Sequence, residues 1–164
     1  MKKSILISVG ILATAALQVQ ASAGLSSYDR QIVASCMVLE AGCDGSEGMQ
    51  AVLNVILNRA DGYLYRMVPE TVRHGAFSSM SAIWGRSTPN YSSIIRRAQN
   101  QRNAYAEALR LISVMENGNL WDNTYGATHY HASSMVPYWA GDMSYTTTIG
   151  GHHFYRDADR VASL

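Results

Sequence analysis

The chain has almost no lysine. Both lysines stand at positions 2 and 3, and every later basic residue is arginine. Neither sign of charge is in excess: 13 basic residues face 12 acidic ones, and the formal net charge is +1. A near-neutral surface argues against nucleic acid as the main partner. Long apolar runs are missing after Leu17, so no later segment is fit to cross a membrane. Internal repeats, low-complexity tracts and linkers are also missing, which excludes a solenoid or a string of modules. Cysteine is scarce, with only Cys36 and Cys43. None lies near Ala21-Ser22-Ala23, which argues against a lipid-anchored form.

What is present at the start is a pattern. Met1-Lys2-Lys3 precedes an apolar run from Ile5 to Leu17, followed by Ala21-Ser22-Ala23. A basic start, a short apolar stretch and a small-x-small site predict a secretory signal peptide over residues 1–23. The alternative is an uncleaved anchor, but the run is shorter than the roughly 20 residues a bilayer requires. Residues 24–164 then form a single domain large enough for a real core. The expected location is secreted or periplasmic, in the cell envelope. There the two cysteines meet an oxidising compartment. Seven residues of unbroken helix would hold their Cα atoms about 10 Å apart, too far for a disulfide. A Cys36–Cys43 bridge therefore needs a break between them, and Gly42 suits one. The other reading is one buried thiol and one loop thiol.

Helical periodicity dominates the first two thirds. A first helix is predicted over Ser27 to Ala41. Asp44, with Glu47 three residues on, reads as the start of a second helix through a capping box. That helix runs to about Arg59. Its apolar stripe of Met49, Val52, Leu53 and Ile56, widened by Val55 and Leu57, makes it central. Asn54 and Asn58 share one face, in reach of a local hydrogen bond. Pro69 to Val72 predicts a short helix with proline in its first turn. Residues 74–79 read as loop. Tyr91 to Glu116 is helical again, with a polar run at 99–103 that can split it, and Gly118 ends it. Beyond Gly118 the residues are mainly Tyr, Trp, His, Thr and Gly. Ala127 to His131 and His152 to Arg156 predict two short strands joined by a long loop. Helices first and a small sheet last is an α+β plan.

Glu40 stands out. Val33, Cys36 and Met37 precede it by seven, four and three residues, so its carboxylate shares the apolar face of its helix. Carboxylates are seldom fully buried without a partner. One so placed is either a satisfied structural acid or a proton donor kept neutral by desolvation.

In the strand Thr128-His129-Tyr130-His131, Thr128 and Tyr130 point to one face and His129 and His131 to the other. Gly151-His152-His153-Phe154-Tyr155 continues the alternation. One reading is a metal site of His129, His131 and His152, since imidazole is a common ligand. The wider reading is an aromatic groove. Tyr130, Tyr138, Trp139, Phe154 and Tyr155 offer flat apolar faces with polar edges, which suit sugar rings. For Phe154 a core position fits better.

Several ordered blocks resemble one family. They are Glu40-Ala41, Glu47-Gly48, Ala51-Val52, Leu57-Asn58-Arg59, Phe77-Ser78, Gly126-Ala127-Thr128-His129-Tyr130-His131-Ala132, Pro137-Tyr138-Trp139-Ala140 and Ile149 to Tyr155. Together they resemble the SleB/CwlJ-type, spore cortex-lytic enzyme-like, cell-wall hydrolases, over roughly Ile32 to Arg156. The resemblance implies a lysozyme-like, lytic transglycosylase-like helical domain with a small sheet near the C-terminus. It implies cleavage of peptidoglycan glycan strands, and no cofactor or metal is expected. By the same resemblance Glu40 is the catalytic acid, and Phe77, Ser78, Thr128, His129, Tyr130, His131, Trp139, His152 and Tyr155 are substrate-binding positions. The chain departs at Gly42-Cys43-Asp44, where the family usually has Arg-Gly-Glu, and at Ala76, where glutamine is common. It shows no separate peptidoglycan-binding module.

Cleaving a glycosidic bond requires a proton for the leaving oxygen. Most glycosidases also use a second carboxylate, as nucleophile or as base for water. The candidates are Asp44, Glu47, Glu70, Asp122 and Asp142, and Asp44 and Glu47 already have a capping role. A single acid suffices if the C6 hydroxyl of the muramic sugar attacks C1 and gives a 1,6-anhydro product. A lytic transglycosylase is thus expected. A hydrolytic muramidase and a non-catalytic peptidoglycan-binding protein are the alternatives.

Overall fold

Helix α1 (Ser27–Ala41) begins at Ser26, whose side chain accepts the Asp29 N–H at 3.1 Å while the Asp29 carboxylate accepts the Ser26 N–H at 3.3 Å. This reciprocal cap satisfies two of the N–H groups that a helix start leaves over. The computed structural model describes residues 24–158. The expected signal peptide lies outside the described residues. From Ile32 to Val38 every α1 residue is buried, on all sides of the helix. A helix buried all round is a central one. It packs against α2 (Gly45–Arg59), α3 (Leu64–Val72), α4 (Ser92–Gln99) and α5 (Arg102–Glu116). The second helix, buried from Ala51 to Ile56, shares that central place. No helix among the described residues is long and apolar enough to cross a membrane.

The α1–α2 junction corrects the expected Asp44 cap and decides between the two readings of the cysteines. Gly42 keeps right-handed helical angles and opens a 3-10 turn over Gly42–Asp44. The sharp bend comes at Gly45, with φ of 70°, a backbone region that glycine enters freely. The helix therefore runs a full turn past Cys36. Cys36 is buried and Cys43 exposed, both as free thiols, so the Cys36–Cys43 disulfide is not formed. Asp44 makes no capping hydrogen bond to α2. Its carboxylate turns to the far end of the chain, taking the Gly151 N–H at 3.3 Å and meeting His152 Nδ1 at 3.1 Å.

Farther on, α3 starts at Leu64, so Pro69 falls inside it. Pro69 is exposed, where a missing N–H does least harm. Ser78–Ile83 forms a 3-10 turn. The polar run after Gln99 does split the next helix, into α4 and α5.

The sheet has three antiparallel strands: β1 (His129–Ala132), β2 (Ser144–Ile149) and β3 (His152–Arg156), in the order β1-β3-β2. Tyr130 pairs with Phe154 and His131 with His153. β2 occupies what the sequence suggested was loop. A second polar layer ties this sheet to α2. Asn54 Nδ2 donates to Trp121 O at 3.2 Å and to Asn123 Oδ1 at 3.0 Å. Asn58 Nδ2 donates to Asp122 Oδ2 and to Ala127 O, each at 3.0 Å. The two asparagines thus share a face as expected, but their partners are more than sixty residues away. Asp122 also takes the Thr124 and Gly126 N–H groups, each at 2.8 Å. The loop entering β1 is fixed by hydrogen bonds to α2.

Candidate active site

Glu40 sits in the last turn of α1, half-buried, at the edge of a groove of about 460 Å³. Its position follows from the helix register that the apolar residues impose. Three neighbours contact its carboxylate. Oε1 accepts the Ser79 N–H at 2.7 Å and lies 3.4 Å from the Ser78 hydroxyl. Oε2 accepts the Tyr130 O–H at 2.8 Å. The 3-10 turn after Phe77 places the two serines, and β1 places Tyr130.

Tyr130 is held in turn by rings. Phe154 lies 5.5 Å away, Phe77 6.2 Å, and His152 meets it edge-on at 5.1 Å. Burial, and then the Glu40 charge, push its phenol well above the ordinary tyrosine value. It therefore stays protonated and remains a donor to Glu40. Cys36 lies behind the same carboxylate. Burial, then Glu40, raise its thiol in the same direction, so it adds no charge there.

The alternation predicted for β1 holds. Tyr130 faces Glu40, while His129 and His131 both pack on Trp139, at 5.4 and 5.8 Å. Tyr155 stacks on His131 at 5.2 Å and meets Trp139 edge-on at 5.6 Å. Burial, followed by the charge of Arg59, lowers the pKa of His129 and so favours the neutral ring. Its Nδ1 lies 3.0 Å from the Thr128 hydroxyl. His131 Nε2 meets Tyr155 OH at 3.0 Å, and His152 meets Asp44. The imidazoles thus have separate partners. Among the described residues no three His, Cys, Asp or Glu side chains converge as metal ligands.

Of the predicted site residues, Glu40, Phe77, Ser78, His129, Tyr130, His131, Trp139 and His152 line the groove. Thr128 does not. It is buried and borders a neighbouring depression of about 170 Å³, with its hydroxyl 3.3 Å from Asp157. Tyr155 is not a lining residue either; it backs His131 and Trp139. Tyr138 is 96% exposed and stands outside the groove, and Phe154 is core.

Arg59 was missed as a site residue. Its Nε donates to Thr128 O at 2.6 Å, and its guanidinium lies 4.9 Å over the Phe77 ring. It joins the Phe77 segment to β1 and lines the groove between them. Burial, then the charge of Arg73, pull its pKa below the usual arginine value. The signal was an arginine closing a helix whose preceding turns are buried. Met135 and Pro137 also line the groove, with Gly75, Ala76 and Ala132.

Among the described residues Glu40 is the only carboxylate lining this groove. Glu47 and Asp142 are exposed, Glu70 pairs with Arg73 at 3.4 Å, and Asp122 is taken up by the loop before β1. Asp44 stands behind His152.

Comparison with known proteins agrees with this geometry. Two solved structures resemble the chain. One is the catalytic domain of the germination-specific lytic transglycosylase SleB from Bacillus anthracis, 25% identical, with a TM-score of 0.56. The match covers 81% of this chain and 98% of that one. The other is the catalytic domain of the Bacillus cereus SleB protein, 25% identical, with a TM-score of 0.57, covering 81% of this chain and 93% of that one. Among curated proteins none matches. The α+β, lytic transglycosylase-like plan expected from the sequence is thus the observed one. The cell wall hydrolase family model matches residues 43–155, a stretch that begins just after Glu40. The match takes in most of the chain, which therefore belongs to the cell wall hydrolase family.

Proposed function

We propose that this protein cleaves the β-1,4 bond between N-acetylmuramic acid and N-acetylglucosamine in peptidoglycan, as a lytic transglycosylase of the cell envelope. The observation that carries this reading is the solitude of Glu40 in its groove. One carboxyl group must then serve twice. As an acid, Glu40 gives its proton to the bridging oxygen, and the bond from that oxygen to C1 of the muramic residue breaks. The charge left on C1 meets the Glu40 carboxylate at close range. As a base, Glu40 takes the proton of the C6 hydroxyl, and that oxygen bonds to C1. The proton inventory closes, no water is consumed, and the muramic end is a 1,6-anhydro ring. The Ser79 N–H and Tyr130 O–H keep the carboxylate in place through both transfers. Trp139, flanked by two histidines, offers the flat face for a sugar ring. The similar structure named as a lytic transglycosylase supports the same reading.

The test is mass spectrometry of soluble fragments from digested sacculi. Anhydro ends are one water lighter than reducing ends, and a spectrum of reducing ends alone overturns the transglycosylase. Glu40→Gln keeps the shape and removes the proton. It should lower the rate by about 10²- to 10⁴-fold with the melting point unchanged. Sacculi dissolving at the unaltered rate would remove Glu40 from the mechanism.

A further inference from the structure

We propose that Asp44 and His152 form a positioning pair for the catalytic acid, acting on Glu40 through Tyr130; this rests on the reading of Glu40 given above. The starting point is a notch shaped around one carboxylate. A Cβ at Gly48 would lie 2.4 Å from the Asp44 Cβ, and one at Gly150 would lie 2.5 Å from the Asp44 Cγ. Neither position accepts a side chain without moving Asp44. The two glycines come from different elements, α2 and the β2–β3 turn. Their common effect is to let that turn close over the Asp44 carboxylate.

Inside the notch both carboxylate oxygens are used. Oδ1 accepts the Gly151 N–H at 3.3 Å and Oδ2 meets His152 Nδ1 at 3.1 Å. The two side chains are each 16% exposed. A carboxylate only accepts, so Nδ1 of His152 carries the proton. The ring is thereby locked in one tautomer and one orientation. In that orientation its edge meets the Tyr130 ring at 5.1 Å and an interplanar angle of 90°. Phe77 and Phe154 hold Tyr130 on its other sides. His152, Phe77 and Tyr130 all line the groove, so His152 is, with Phe77, a constraint on Tyr130 that faces the substrate space. Tyr130 in turn holds Oε2 of Glu40. Asp44 itself does not line the groove. Its part is to keep the proton donor aimed, where a displacement of about 1 Å costs as much as about 100-fold in rate.

The experiment is a double-mutant cycle on sacculus digestion. Asp44→Ala should lower kcat by about 10- to 100-fold with KM nearly unchanged and the same fragment type released. Asp44→Asn, which still offers one oxygen to His152, should recover part of that loss. In a Tyr130→Phe background, Asp44→Ala should cost little more, because the contact it supports is already gone. Nitrogen-15 NMR should show His152 protonated on Nδ1 in the wild type and released from that tautomer in Asp44→Ala. Should Asp44→Ala fail to fold, the cycle is run with Asp44→Asn against Tyr130→Phe, and the losses must again be less than additive. Unchanged kcat, additive losses, or an Nε2-protonated His152 in the wild type would each overturn the pairing. A loss as deep as that of Glu40→Gln would instead make Asp44 a second catalytic carboxylate. If Glu40→Gln itself keeps full activity, the reading of the acid fails first, and the NMR result still judges the Asp44–His152 contact.

Discussion

The helical part and the sheet part of this molecule are built by different forces. The helices are held by oil. Residues 32–38 of α1 and 51–56 of α2 are buried, nearly all of them apolar, and Met67, Ile94 and Ile112 close around them. The sheet and its loops are held by hydrogen bonds and ring edges, and among the described residues their fully buried share of the core is Ala127, Ile149 and Phe154. Close packing fixes atoms to within tenths of an ångström, and Glu40 hangs from the packed side. Ring faces and amide groups make a wall that can meet a polar polymer, and they form the other side. The groove is the seam between the two.

The largest expected effect separates stability from chemistry. Leu53 is fully buried in α2. Leu53→Ala should cost about 2–5 kcal/mol of stability, read from denaturant unfolding, while the folded fraction digests sacculi at the normal rate. A fall in the rate of the folded fraction would show that the core also tunes the groove. Trp139→Ala probes the other side. It should raise KM by about 3- to 10-fold, matching the 0.5–1.5 kcal/mol of an aromatic contact, and leave the melting point within a few degrees. A large drop in melting point would mean that the wall is structural. The smallest effect concerns surface charge on the helices. Arg110, and then Ser46, pull the Glu107 carboxyl down to about 2 from an ordinary 4.5. A lowered carboxyl pKa stabilises the fold above 4.5, and that contribution is lost as the pH falls from 4.5 towards 2. Glu107→Gln should flatten this part of the stability–pH curve only slightly, because the pair is exposed and screened. A steep change would promote α5's surface to a main support.

The helical part was legible because its information is local. The spacing of Val33, Cys36 and Met37 fixes the face of α1, and the same spacing places Glu40 at the groove. Alternation in β1 was legible for the same reason, and it put Tyr130 opposite His129 and His131. Asp44 was misread because a carboxylate three residues before a glutamate has a local explanation in capping. Its actual partners, Gly151 and His152, lie more than a hundred residues away. β2 was hidden for a milder reason. Its run Ser-Tyr-Thr-Thr-Thr-Ile is rich in β-branched residues, a strand signal that weighs little without its partner β3. Arg59 was quoted as part of a motif but not as a site residue, since its role depends on Thr128 and Phe77 meeting beside it. The disulfide would have needed α1 to end early, and its continuous apolar burial keeps it going to Ala41.

The amide ladder of Asn54 and Asn58 has a consequence for how such a protein can diversify. The loop that feeds β1 is hung from α2 by hydrogen bonds to Trp121 O, Asn123, Asp122 and Ala127 O. An attachment made by a few directional bonds is separable from the packing behind it. The face bearing Trp139, His129 and Tyr155 can be recut, one ring at a time, while the fasteners and the oil beneath them stay as they are. The molecule is in this sense a fixed tool-holder with an exchangeable jaw, and Asn54 and Asn58 are the bolts.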